Sequence, residues 1–567
     1  MKRALVPALV LLAAVLLADR LPAQEPADLL LFNGRVVTVD SAFSVRSAVA
    51  VRGGRIVAVG GDELARRFRA TRVVDLRGRA VLPGFVDAHV HLLPPARRSV
   101  DLAGARSMAE LRERIRGKAR ELGPGEWITG TWSTGWAEDD LAERRPPLRA
   151  DLDAAAPENP VYVPRLGGHS YAANSLALRL AGVGRETPDP RGGVIERDAA
   201  GEPTGIFREG PAIGLVFRGM RGVPGPSPGE ARLNAVRFLN GLLAHGITSI
   251  VEASWTTAGF RHWEAAYAEH GDSLPRASVQ VTAEILDDGE TDAVIRELRE
   301  FGRKTGDGDE RLRVGALKVF VDGGWSGAAA ATLRPYAGRP GWHGRVRVPE
   351  PELYALVRAA HDMGWRMGFH TAGDSAVKLA VDVFGRVLDE SPRPDHRHYL
   401  THFGLLPPDA TLRAMARRGI GVVQQPNFLR TNEALFRAFL GPERLERAIP
   451  LRTPLRHGIH LALGSDNLPV GPLAGIHAAV TRRGKSGAPY AAGERLTVAE
   501  AIRAYTRDAA YVTGEERVKG SVEPGKLADL VVLSEDPLAV DPERIPELRV
   551  EMTILGGRVV HERPRAR

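Results

Sequence analysis

The residues best suited to chemistry lie in one short run, Pro83-Gly84-Phe85-Val86-Asp87-Ala88-His89-Val90-His91. Side chains alternate faces along a strand, so Asp87, His89 and His91 would share one face. Two imidazoles so placed can grip a single cation, and the nearby Asp87 carboxylate can orient a ligand from outside the shell. Three more candidates each end a separate apolar run: His370 in RMGFHTAGD, His402 in HYLTHFG and Asp466 in HLALGSD. Four imidazoles and a carboxylate suit a borderline divalent metal such as Zn2+, one ion or two. The chain contains no cysteine, which excludes disulfides, thiolate nucleophiles and cysteine-held zinc.

Lys318 stands apart from the other lysines. It alone lies inside an apolar strand pattern, ALKVFVDGG. Burial disfavours an ammonium and lowers its pKa. A neutral amine can add carbon dioxide, and the resulting carbamate is a bidentate anion able to bridge two cations. The competing reading is a lysine that reaches solvent or pairs with Asp322.

These residues need elements that bring strand ends together. Between residues 84 and 516, apolar strand-like runs alternate with helical stretches such as PELYALVRAAHDMG. That rhythm predicts an α/β fold, a (β/α)8 TIM-like barrel, which carries its chemistry at the carboxyl ends of its strands. Residues 28–83 and 517–565 are Val-rich runs broken by Gly turns, and are expected to pair as one small composite β-sandwich. Residues from about 100 to 210, rich in Pro, Gly and Trp, break the rhythm and read as an inserted capping segment. Trp132, Trp136 and Tyr171 there, and Trp325 beyond it, lie near the expected mouth and are candidate walls of a substrate pocket, with core packing the alternative for Trp136. Asn174 reads as a helix cap.

The net charge of +8 is small for 567 residues, and basic residues are interleaved with acidic ones, as in ELRERIRGKAR at 110–120. This is the texture of a solvated helix face, and no nucleic-acid partner is expected. No phosphate-loop pattern supports nucleotide binding. Lys2 and Arg3, the apolar run Ala4–Ala18 and Ala23 predict a signal peptide over residues 1–23. The mature protein is therefore expected in the periplasm or secreted, with no stable membrane span after cleavage.

The sequence resembles the amidohydrolase-3 (YtcJ-like) branch of the amidohydrolase superfamily over nearly all of the mature chain. The resemblance is carried by PGFVDAHVH, GGHSYAANSLAL at 167–178, DPRGGVIERDAAGEPTGIFRE at 189–209 and LKVFVDGG. It continues through HTAGD, GSDNLPV and KGSVEPGKLADLVVLSEDPL. It implies a β-sandwich made from both chain ends and a barrel whose metal ligands are His89, His91, Lys318, His370, His402 and Asp466. It also brings His169 toward the substrate. HTAGD and LTHFG depart from the branch's usual HAIGD and acidic-His-Ala runs, which leaves the ligands in place and changes their neighbours.

The expected reaction is metal-assisted hydrolysis of a non-peptide carbon–nitrogen bond of a small molecule, with Asp466 as the proton carrier. Ester, lactone or exocyclic-amine hydrolysis on the same scaffold stays open, as does a non-catalytic periplasmic binding protein. Homo-oligomerisation is also left open.

Overall fold

The structure is a computed structural model that describes residues 24–92, 96–225, 227–285, 289–466 and 470–564. The expected signal peptide, residues 1–23, lies outside the described residues.

Eight strands carry the central region: β1 (Phe85–Val90), β2 (Ile247–Trp255), β3 (Arg276–Thr282), β4 (Leu312–Lys318), β5 (Gly368–Thr371), β6 (Tyr399–His402), β7 (Gly421–Gln424) and β8 (Leu461–Leu463). The first four form one parallel sheet in sequence order and the last four another. Parallel bridges Leu317↔Met367 and Phe320↔His370 connect the β4 side to β5. At the other seam, the Asp466 amide just past β8 donates to the His89 carbonyl of β1 at 2.8 Å. Strands β5 to β8 are buried at every position, the signature of parallel strands covered on both faces.

The covering helices read as amphipathic. Asp374–Glu390 buries Ala376, Val377, Ala380, Val381, Phe384 and Val387, a helical i, i+3, i+4 stripe. Asp409–Arg418 stops at Gly419, whose φ of 70° is the left-handed turn that glycine adopts without strain. Gly464 is needed for a different reason. A Cβ there would lie 2.5 Å from the His89 amide, so the β8 end approaches β1 only because this residue has no side chain.

Strands from both chain ends share one six-stranded sheet. Leu530–Leu533 pairs antiparallel with Ala80–Pro83, the strand that leads into β1. A four-stranded sheet of Arg55–Gly60, Ala48–Arg52, Glu25–Phe32 and Phe68–Asp75 accompanies it, and Leu29, Val36, Val51, Leu530 and Ile554 belong to one apolar cluster. The first strand begins at Glu25, ahead of residue 28.

The inserted segment holds a four-stranded antiparallel sheet, Val194–Arg197, Pro203–Arg208, Ser170–Ala173 and Tyr162–Pro164. Asn174 caps helix Ser175–Ala181, its side chain accepting from the Ala177 amide at 3.0 Å. Helix Met108–Leu122 wears its charges outward, with Glu110–Arg114 paired at 2.6 Å. Among the described residues, no helix is long and apolar enough to cross a membrane.

Candidate active site

The expected ligands converge where the strands end. Asp466 Oδ1 lies 3.2 Å from His91 Nε2 and 3.6 Å from His89 Nε2. Donors about 2.1 Å from a tetrahedral zinc stand roughly 3.4 Å apart, so this spacing fits one ion. The rings continue as a chain: His91 to His89 at 5.3 Å, His89 to His402 at 5.0 Å, and His402 to His370 at 4.4 Å between centroids.

Two of these residues hold unusual backbone. His402 has φ of 73° and Asp466 of 51°, the left-handed region that residues with a Cβ rarely enter. Such strain persists only where surrounding structure imposes it, and it clusters at functional sites.

Electrostatics sort the groups. Burial pushes the His89 and His370 imidazoles well below their usual pKa, and His402 to about 3. All three are therefore neutral at pH 7 and can offer a lone pair. The His402 ring is oriented by Gln425, whose Oε1 lies 2.8 Å from Nδ1, which leaves Nε2 for the site. His370 Nε2 has no hydrogen-bond partner among the described residues, and its nearest carboxylate oxygen, on Asp322, is 3.8 Å away. A buried polar atom left unpaired is costly, and a cation would satisfy it. Asp466 behaves oppositely. Burial would raise its pKa, but the His91 hydrogen bond and the surrounding charges outweigh that and hold it ionised.

Lys318 ends β4 with its ammonium 3.4 Å from His89 Nε2 and is fully buried. Burial pulls its pKa down to about 8. It does not pair with Asp322. That carboxylate accepts from the Ala331, Ala372 and Gly373 amides, each at 2.8 Å, and so shapes the loop beside β5.

Asp87 acts on the backbone of the site. Its carboxylate accepts from the Ser465 amide at 2.9 Å, the Ser465 hydroxyl at 2.5 Å and the His89 amide at 3.2 Å. It thus pins the turn that carries Asp466 to the strand that carries His89.

His169 and Trp325 line a cleft together with His370, His402, Phe428 and Asp466. His169 Nδ1 meets Glu209 Oε2 at 2.9 Å. Burial alone would lower this imidazole's pKa, but the Glu209 carboxylate prevails and raises it.

Trp136 is not a pocket wall. It is 1% exposed, its indole donates to the Val163 carbonyl, and it packs with Ile115, Leu152 and Val161 inside the inserted segment. Trp132, from the same segment, does reach the ligands, with its ring 5.1 Å from His91 and its N–H on the Tyr171 hydroxyl.

Glu252, in β2, was not singled out in the sequence. It is 1% exposed and accepts from the Leu92 and Ser254 amides at 3.1 Å each, which holds the chain just after His91. The signal was present, since GITSIVEA is an apolar run closing on an acid, as HLALGSD is. Gln425 and Glu209 were likewise unmarked.

Known proteins place this geometry in a family. Residues 72–561 match the model of the amidohydrolase family. YtcJ of Bacillus subtilis (strain 168) is 32% identical over 531 residues, covering 91% of this chain and 96% of that one. The N-substituted formamide deformylase of Arthrobacter pascens is 31% identical over 551 residues, covering 94% and 98%. Among solved structures, an uncharacterized metal-dependent hydrolase from Pyrococcus horikoshii OT3 superposes with a TM-score of 0.70 at 24% identity, covering 91% of this chain and 99% of the other. The sequence and structural matches agree: the chain belongs to the amidohydrolase family and is a hydrolase.

Proposed function

We propose that the protein is a metal-dependent hydrolase that cleaves a non-peptide carbon–nitrogen bond, an amide or an N-formyl or N-acyl bond, in a small molecule. The observation that carries this reading is the meeting of Asp466 with His89 and His91 beside the unpaired Nε2 of His370. His89, His91, Lys318, His370, His402 and Asp466 would hold one or two divalent cations, with zinc favoured by the imidazole-rich set. When bound, such cations supply an acidified water and a polarised carbonyl.

The chain's own residues do the rest. Asp466, half-buried and held ionised, takes the proton of the attacking water and returns it to the leaving nitrogen. Gln425 fixes His402, and Asp87 fixes the Asp466 turn. Lys318, whose pKa burial pulls down to about 8, would join the metal-holding residues as a carbamate, which would supply an anionic oxygen pair. Trp325 and Phe428 give the cleft an apolar wall for a group beside the scissile bond. The N-formyl option follows from a full-length relative named for N-substituted formamides.

This reading treats the eight strands as a closed (β/α)8 barrel over residues 84–516, the two chain ends as a composite β-sandwich, and the segment near 100–210 as its cap. It places the mature protein outside the cytoplasm, on the strength of the first 23 residues.

The test is a mass-spectrometric screen of N-formyl, N-acyl and cyclic amides alongside esters and lactones. Release of amine and acid, abolished by chelator and restored by zinc, supports the proposal. Metal-loaded protein that hydrolyses only esters, or none of the panel, contradicts it.

A further inference from the structure

Glu209 follows the strand Pro203–Arg208 of the inserted segment, opens the helix Glu209–Phe217 and is 2% exposed. Its φ is 65°, so this buried side chain is delivered from a left-handed backbone. Outliers of this kind persist where the structure over-determines them, and they point to a role for the residue they aim.

Both carboxylate oxygens are engaged. Oε2 lies 2.9 Å from His169 Nδ1, and Oε1 accepts from the Gly324 amide at 3.0 Å. The Glu209 amide in turn donates to the His169 carbonyl at 2.9 Å. The loop after β4 is cut to receive them. A Cβ on Gly323 would lie 2.8 Å from the Glu209 carboxyl carbon, and one on Gly324 only 2.5 Å from the His169 ring. Arg208 reinforces the contact by donating to the Ser326 carbonyl at 2.7 Å. The inserted segment therefore meets the barrel at a point where the imidazole it brings sits 5.5 Å, ring to ring, from His370.

We propose that Glu209 is a positioning residue for hydrolysis: one carboxylate oxygen fixes His169 so that Nε2 is the atom presented to the substrate, while the other locks that imidazole to the loop following Lys318. The proposal rests on the hydrolase reading above and adds to it a group that contacts the substrate from the cap side of the cleft. The substrate it fits carries a hydrogen-bonding heteroatom next to the reacting carbon, as amides and formamides do.

Glutamine is the discriminating replacement. Its single acceptor is claimed by the obligate Gly324 N–H donor, so its amide NH2 turns toward His169 and forces the imidazole proton from Nδ1 to Nε2. The volume and the backbone clamp are retained.

The first arm is kinetic, with metal-loaded full-length protein and 4-nitroformanilide as the probe. His169→Ala and Glu209→Gln should each lower kcat/KM by about 10- to 100-fold. The double variant should fall no more than about threefold below His169→Ala, because Glu209 acts through His169. Losses that multiply, or a single variant at wild-type rate, overturn the proposal.

The second arm needs no turnover. In 15N-histidine-labelled protein at a pH where the imidazole is neutral, the His169 signal, assigned by its loss in His169→Asn, should show the proton on Nδ1 alone in wild type and on Nε2 alone in Glu209→Gln. An unchanged protonation pattern in a variant that unfolds at the wild-type temperature contradicts the positioning role, whatever the protein hydrolyses. A correct proton shift with no hydrolysis of any substrate supports the positioning and places the failure in the reading of the reaction.

Discussion

Two buried histidine clusters sit at opposite ends of the same strands. At the carboxyl ends are His89, His91, His370 and His402. Just ahead of β6 are His396 and His398, joined by His361 from helix Glu350–Asp362. In the second cluster every ring nitrogen is paired. His361 Nδ1 meets His398 Nε2 at 3.0 Å, and His361 Nε2 meets the Ser391 carbonyl at 2.9 Å. His398 Nδ1 accepts from the Met367 amide, while His396 bonds the Arg418 carbonyl and the His398 amide. In the first cluster His370 Nε2 and His89 Nδ1 have no partner among the described residues. Burial lowers the imidazole pKa in both places. Neither burial nor a shifted pKa therefore distinguishes a site from a scaffold. The distinction lies in lone pairs left over once the protein has satisfied itself.

The largest effect that would break this contrast is at Asp466. Asp466→Asn should keep its fold and most of its metal but lose about 10²- to 10⁴-fold in kcat, read by steady-state kinetics beside elemental analysis. Near-wild-type turnover would remove Asp466 from the proton path.

Lys318→Ala should lose metal and activity together, and added short-chain carboxylates should restore part of both by filling the vacated bridge. Full metal content with normal kcat would make the site mononuclear, held by the imidazoles and Asp466.

The smallest effect belongs to the satisfied cluster. His398→Leu should cost about 1–3 kcal/mol of stability in urea unfolding, because it strands the His361 and Met367 partners, and should leave kcat at 25 °C unchanged. Its pH dependence is also specific. Burial, then neighbouring His396 and Arg393, hold His398 neutral in the fold, whereas the unfolded imidazole takes a proton near 6.5. The unfolded state thus binds more protons below that value, and stability falls as pH drops from 6.5, by at most about 1.4 kcal/mol per unit for each such imidazole. His398→Leu should show a shallower acid slope than wild type. An unchanged slope would mean that other groups drive acid unfolding.

Much of the site was legible because strand periodicity and strand ends are local facts. His89 and His91 alternate in one run, and His370, His402 and Asp466 each close another, so their types and places suffice. Lys318 was visible as a cation in an apolar pattern. His398 and His402, in contrast, lie four residues apart in the same HYLTHFG run, and only the tertiary partners tell the satisfied imidazole from the available one. Trp136 and Trp132 share a Gly-rich stretch of the insertion, and nothing in their spacing says which faces inward. Glu209 was hidden for a related reason. Its left-handed backbone and its fit against Gly323 and Gly324 arise from a contact between segments more than a hundred residues apart.

Leftover lone pairs predict that the unsatisfied cluster holds metal and the satisfied one does not. Metal content after purification without chelator and reloading with zinc tests it most directly. Wild type and His398→Leu should each carry one or two equivalents, and His89→Ala and His370→Ala should carry markedly less. Wild-type protein that stays metal-free in zinc, manganese and cobalt, or His89→Ala and His370→Ala proteins that bind as well as wild type, would contradict it.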